Sequence, residues 1–66
     1  MQLILKQIRE RENKTQKQLS EDSGISVSYI QKLETGDKKR PSYEIVLKLA
    51  AALNSSVEEL FLSSED

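Results

Sequence analysis

The sequence predicts an all-α fold, a compact five-helix bundle. Three observations predict it. The 66 residues include one proline and two glycines, so few positions interrupt a helix. Apolar residues recur at helical spacing, and no stretch shows the β-branched alternation of a strand. Thr, Ser, Asn and Gly stand where helix caps and left-handed stops are needed.

The first helix is expected from Leu3 to Glu12. At about 100° per residue, Met1, Ile4, Leu5, Ile8 and Glu12 share one arc, with Arg9 at its edge. Asn13 is its left-handed stop, since a short polar side chain tolerates positive φ. Thr15 and Gln18 form a capping box that opens the second helix, Gln16 to Ser23, anchored by Leu19. Gly24 ends it. Ser26 caps the third helix, which runs to Thr35 and stops at Gly36. Asp37 to Arg40 is a charged loop leading to Pro41. Ser42 caps the fourth helix, Tyr43 to Leu53, with Val46, Leu49, Ala50 and Leu53 as its core stripe and Ile45 and Leu47 widening it. Asn54 is the next stop. Ser56 and Glu59 form a second capping box before a short last helix through Leu60 and Phe61. Residues 1–62 read as one domain and residues 63–66 as a frayed acidic tail.

Helices 2 and 3 are joined by too short a turn to lie antiparallel, so they must cross steeply. Leu19, Ile25, Ile30 and Leu33 pack inward from both, and small Ser20 marks their close approach. This is the apolar skeleton of a helix-turn-helix. The outer face of helix 3 carries Val27, Ser28, Gln31, Lys32 and Thr35, while Ser26, Tyr29, Ile30, Leu33 and Glu34 occupy the inner half. Hydroxyl, amide and amine groups on one helix face can bond base edges in a DNA major groove, and a valine methyl can meet a thymine methyl. The same face also serves as an ordinary solvated surface.

Composition removes other functions. There is no cysteine and no histidine. That excludes a disulfide framework, the usual zinc sites and Ser/His or Cys/His catalysis. A Gly-rich phosphate loop and clustered carboxylates are also missing, so no enzyme, cofactor, metal or small-molecule ligand is expected. No apolar run approaches the ~20 residues of a membrane span. The lack of cysteines suits a reducing compartment, and a cytoplasmic protein is expected. The net charge of −1 argues at first against nucleic acid. It conceals an asymmetry: residues 1–48 carry ten bases and seven acids, whereas residues 49–66 carry four acids and no base. A cationic working face and an acidic far end are compatible with that division.

The chain resembles the lambda-repressor-like (Cro/Xre-type) helix-turn-helix family. The resemblance runs from Leu5 to Phe61, through LKQIRERENKTQKQLSEDSGIS, YIQKLETGDKKRPS and IVLKLAAALNSSVEELF. Its specificity lies in the order and spacing of Arg9, Thr15-Gln16, Leu19, Gly24-Ile25-Ser26, Ile30, Leu33-Glu34-x-Gly36 and Pro41-Ser42. The resemblance implies double-stranded DNA as partner, with Val27, Ser28, Gln31 and Lys32 reading bases. It implies phosphate contacts from Gln16, Lys17, Thr35, Lys38, Lys39 and Arg40, with Gln16 also buttressing helix 3. Arg9 and Glu34, each a charge on the edge of an apolar arc, are expected to pair. Lys14, Ser20 and Ser55 depart from the family's usual apolar or alanine residues.

Late in the chain Ile45, Ala52, Leu60, Phe61 and Leu62 exceed what so small a core can use. Leu60 and Phe61 are the ones expected to close the core. Ile45, Ala52 and Leu62 are therefore the candidates for a homodimer interface, and family members usually bind palindromic operators as two-fold dimers. The expected role is a transcriptional regulator, a repressor first. The alternative is an antitoxin or immunity-type regulator whose main partner is another protein.

Overall fold

The structure is a computed structural model, and it describes residues 3–38 and 40–61. Met1, Lys39, Leu62 and the tail expected at 63–66 lie outside the described residues. Those described form five helices and no strand: α1 (Leu5–Arg11), α2 (Gln16–Ser23), α3 (Val27–Thr35), α4 (Tyr43–Ala52) and α5 (Val57–Leu60). Each is short, so tertiary packing and caps supply the stability that length does not.

The caps act where the sequence places them. Thr15 Oγ1 accepts from the Gln18 N–H at 3.0 Å, and Gln18 Oε1 accepts from the Thr15 N–H at 2.8 Å. Ser56 and Glu59 repeat this reciprocal box on α5 at 3.1 and 2.9 Å. Ser26 and Ser42 cap α3 and α4 through the N–H groups of Tyr29 and Ile45. Asn13 and Asn54 adopt φ of 58° and 52°. After α1, Lys14 N–H donates to Arg9 O and Asn13 N–H to Glu10 O. After α4, Ser55 and Asn54 bond Ala50 O and Ala51 O in the same pattern. Both ends are Schellman motifs that use up carbonyls the helix leaves open. Gly24 takes φ 77°, and a side chain there would meet nothing within 4 Å, so its backbone angle and not crowding requires glycine.

The helix-turn-helix follows from this turn. Ile25 N–H donates to Ser23 Oγ at 3.2 Å, tightening the corner. α2 packs against both α3 and α4, α3 also meets α1, and α5 packs on α4. Leu19, Ile30, Leu49, Leu53 and Leu60 are fully buried, with Leu5, Ile8, Ile25, Leu33, Val46 and Ala50 around them. Burying a side chain of this size stabilises by roughly 1.5–3 kcal/mol.

Two expectations change. α1 starts at Leu5, not Leu3, because Ile4 N–H donates to Leu60 O at 2.9 Å and ties the incoming chain to α5. Leu47 does not widen the core stripe; it is 44% exposed, since it lies beyond the buried arc of α4. Leu60 closes the core as expected, being wholly enclosed. Ile45, Ala52 and Phe61 are half-buried against the core.

Two departures from the family pattern make bonds of their own. Lys14 Nζ donates to Asp22 Oδ2 at 2.7 Å and to the Ala52 carbonyl, joining α2 to the end of α4. A cation at a helix C-terminus also meets the negative end of its dipole. Ser55 Oγ donates to Leu53 O at 3.1 Å and accepts from Arg11 Nη2 at 3.0 Å. Arg11 further pairs with Glu59 at 3.3 Å, fastening α1 to α5.

Candidate nucleic-acid interface

α3 divides as its periodicity dictates. Ile30 and Leu33 are buried, and Tyr29 is half-buried against the core. Ser28, Gln31, Lys32 and Thr35 are exposed, and Val27 is half-buried at the first turn. Four of the five side chains placed on the outer face therefore reach solvent on one side of one helix.

A polar network adds to the apolar packing that holds that helix in place. Arg9 Nε donates to Glu34 Oε2 at 2.7 Å, and Nη2 donates to Oε1 at 3.2 Å. The two side chains are only 11% and 5% exposed. Arg9 Nη1 donates at 2.7 Å to the Lys14 carbonyl, where α1 has ended. Such a two-pronged guanidinium–carboxylate contact fixes orientation as well as distance. The hydrogen bond to Glu34 raises the Arg9 pKa and outweighs the opposing effect of burial. Gln16 extends the network from α2: its Nε2 donates to Glu34 Oε1 at 2.9 Å, and its Oε1 accepts from Gln31 Nε2 at 3.4 Å. Three helices thus converge on one carboxylate, and the convergence includes the expected buttress from Gln16 to α3.

Around this network Lys6, Arg9, Gln16, Gln31, Glu34 and Thr35 line an open groove of about 490 Å³. Lys6 has no place among the residues singled out from sequence. Its signal is legible in retrospect: it lies three positions before Arg9, hence on the same side of α1. Lys17 is exposed on the first turn of α2. The opening amides of a helix favour anions, so Lys17 and Gln16 stand at a phosphate-compatible end.

Beyond α3 the chain turns at Gly36 (φ 91°), and Lys38 N–H donates to Lys32 O at 3.0 Å. That bond holds the start of the basic loop against the last turn of α3, with Lys38 and Arg40 exposed. Thr35 differs from the other phosphate candidates. Its hydroxyl donates to Lys32 O at 3.3 Å, so it has no proton to give a phosphate until it rotates. Among the described residues no group of three His, Cys, Asp or Glu side chains is placed to hold a metal ion, and no helix is long and apolar enough to cross a membrane.

A buried skeleton of two crossed helices, an exposed polar face on the second and cations flanking it define a helix-turn-helix DNA-binding domain. The family model described as Helix-turn-helix matches residues 5–60, and the chain belongs to this Cro/C1-type family of DNA-binding transcription regulators. It is 36% identical over 58 residues to the HTH-type transcriptional regulator SlrR of Bacillus subtilis, covering 88% of this chain and 38% of that protein. The chain thus spans well under half of SlrR. It is 32% identical over its full 66 residues to an HTH-type transcriptional regulator of Archaeoglobus fulgidus, covering 92% of that protein. Its backbone superposes on the restriction-modification controller protein C.AhdI of Aeromonas hydrophila with a TM-score of 0.81 at 35% identity, covering 86% and 85% of the two chains. For the N-terminal DNA binding domain of SinR from Bacillus subtilis the TM-score is 0.84 at 27% identity, covering 94% and 90%.

Proposed function

We propose that this protein regulates transcription by sequence-specific binding of double-stranded DNA, with α3 lying in the major groove. Val27, Ser28, Gln31 and Lys32 read base edges. Lys32 donates to guanine, Gln31 matches adenine, and the valine methyls contact thymine. Gln16, Lys17, Lys38, Lys39 and Arg40 hold phosphates and set the register, and Thr35 joins them after its hydroxyl turns. The observation that supports this best is the Arg9–Glu34–Gln16 network, which braces α3 from behind while its polar face stays open.

One such domain spans too few base pairs for useful selectivity. Two copies related by a two-fold axis would place their α3 helices in successive major grooves about 34 Å apart. Ile45 and Ala52, half-buried on α4, and Leu62 are the proposed contact. The dimer occupies a palindromic operator and represses by excluding polymerase, in the cytoplasm where that DNA resides.

Binding selection from random duplex DNA tests the reading. A palindromic consensus is expected from the wild type. Lys32→Ala and Ser28→Ala should change the preferred bases, whereas Arg40→Ala should weaken all sequences alike. If both α3 substitutions leave the consensus and affinity unchanged, α3 is not the reader. Sedimentation at high micromolar concentration, with and without the selected duplex, tests assembly. A monomer in both conditions overturns the dimer.

A further inference from the structure

We infer that the exposed side of α4, the stripe Tyr43–Leu47–Ala51 with Glu44 and Lys48 beside it, is a contact surface for a second copy of this chain, packed antiparallel across a two-fold axis. The inference goes beyond the DNA-binding reading and does not rest on it. Among the described residues the large apolar side chains left exposed are Tyr43 and Leu47, at 69% and 44%. They stand one turn apart on one helix, and exposed Ala51 continues the line a turn further. Taking about 100° per residue from Tyr43, Leu47 lies at ~40°, Ala51 at ~80°, Glu44 at ~100° and Lys48 at ~140°. Ile45 and Ala52, the proposed operator-dimer contact, lie at ~200° and ~180°. The stripe is therefore a separate flank of α4.

The pattern is complementary to itself. In a two-fold contact each residue meets a partner position that meets it in return. With Leu47 on the axis, antiparallel helices set Tyr43 of one copy against Ala51 of the other, a large side chain over a small one. Antiparallel packing also brings like flanks together in reversed order, so each Glu44 faces a Lys48. A parallel pairing would set Glu44 against Glu44 and Lys48 against Lys48, and charges on such flanks decide orientation. Within one copy the two groups are 3.5 Å apart, with Lys48 50% and Glu44 78% exposed, so both stay open to a further partner. Three apolar side chains per copy bury far less than the ~1,200–2,000 Å² of a stable complex, so the contact is weak in isolation. It gains strength where copies are already held close, because their effective concentration rises. With the operator-dimer contact on the other flank, it would join one dimer to the next.

The chain has no cysteine, so one introduced thiol reports the contact. Under mild oxidation of the concentrated protein, Leu47→Cys should form a disulfide-linked dimer well ahead of Glu21→Cys, whose thiol would lie on the exposed surface of α2. Glu44→Lys and Lys48→Glu test the pairing, and as changes at exposed positions they keep the fold, which melting temperatures check. Each alone turns two exposed attractions into repulsions, so self-association by sedimentation equilibrium should weaken about 10-fold. An equimolar mixture of the two variants should regain wild-type association, since both charge contacts between unlike copies are attractive again. A pair that acts only within its own helix gives no such rescue. The inference is overturned if the mixture associates no better than either variant alone, or if Leu47→Cys cross-links no faster than Glu21→Cys. A wild type that stays unassociated at millimolar concentration also overturns it, and leaves the stripe to a different protein.

Discussion

Arg9 and Glu34 bear most of the folding cost of this site. Each is a charge taken largely out of water, and each would be expensive there alone. Together they satisfy one another at 2.7 and 3.2 Å, with Lys14 O accepting one further bond from Arg9 and the Gln16 amide donating one to Glu34. Removing one partner should therefore cost more than a surface ion pair could, about 3–5 kcal/mol. For so small a domain that corresponds to a fall in melting temperature of at least ~12 °C. Glu34→Ala and Arg9→Ala are each expected to show it by thermal circular dichroism, and the double variant should lose far less than their sum. Additive losses would mean the two side chains do not interact. This pair was legible in the sequence, because a lone charge on each of two apolar arcs poses a problem that pairing solves. Lys14 was not. Its amine crosses to Asp22 on α2 and to the end of α4, a reach that no local periodicity encodes.

The helices were legible wherever a side chain announces a boundary. Thr15, Ser26, Ser42 and Ser56 each begin a helix, and Asn13 and Asn54 each turn the chain left-handed after one. The start of α1 has no such side chain, and its boundary is set by Leu60 O from the far end of the sequence. The exposure of Leu47 was hidden for a related reason: α4 is apolar over much of its circumference, so only its neighbours decide which flank is covered. The shortest helix, α5, relies on its cap. The backbone N–H of Ser56, followed by the guanidinium of Arg11, holds the Glu59 carboxyl below its ordinary pKa. A carboxylate with a depressed folded pKa adds stability that is present above the unfolded value of ~4.3 and is lost as pH falls through the lower folded value. Glu59→Gln keeps a cap but cannot titrate. At pH 7 it should melt below wild type, and in acid the two should converge. The check is a melting series from neutral pH down to about pH 3, past the ordinary glutamate range. A gap of constant size would mean that the charge on Glu59 contributes nothing.

Across the whole molecule the charge is divided, and that division makes a net of −1 compatible with DNA. The bases lie in residues 1–48, and among the described residues Lys6, Lys17, Lys32, Lys38 and Arg40 fall on or beside the groove, α2's first turn, α3 and its following loop. The described acids of the C-terminal quarter, Glu58 and Glu59, lie on α5, which packs on α4 and is bonded to Arg11. The molecule's longest extent is 32 Å. At physiological salt the Debye length is about 8 Å, so charges separated by much of that extent scarcely feel each other through solvent. DNA should then respond to the local cations and not to the net charge. Each phosphate contact releases counterion and contributes about −0.9 to the slope of log K against log salt. Arg40→Ala should make that slope shallower by about one contact, while Glu58→Gln should leave it unchanged. Titrating both variants and the wild type into a selected duplex between about 50 and 200 mM salt measures it, a range over which such contacts change affinity by orders of magnitude. If Glu58→Gln steepens binding as much as Arg40→Ala weakens it, the acidic helix lies within reach of the phosphates. The recognition face would then extend beyond α3 and its loop.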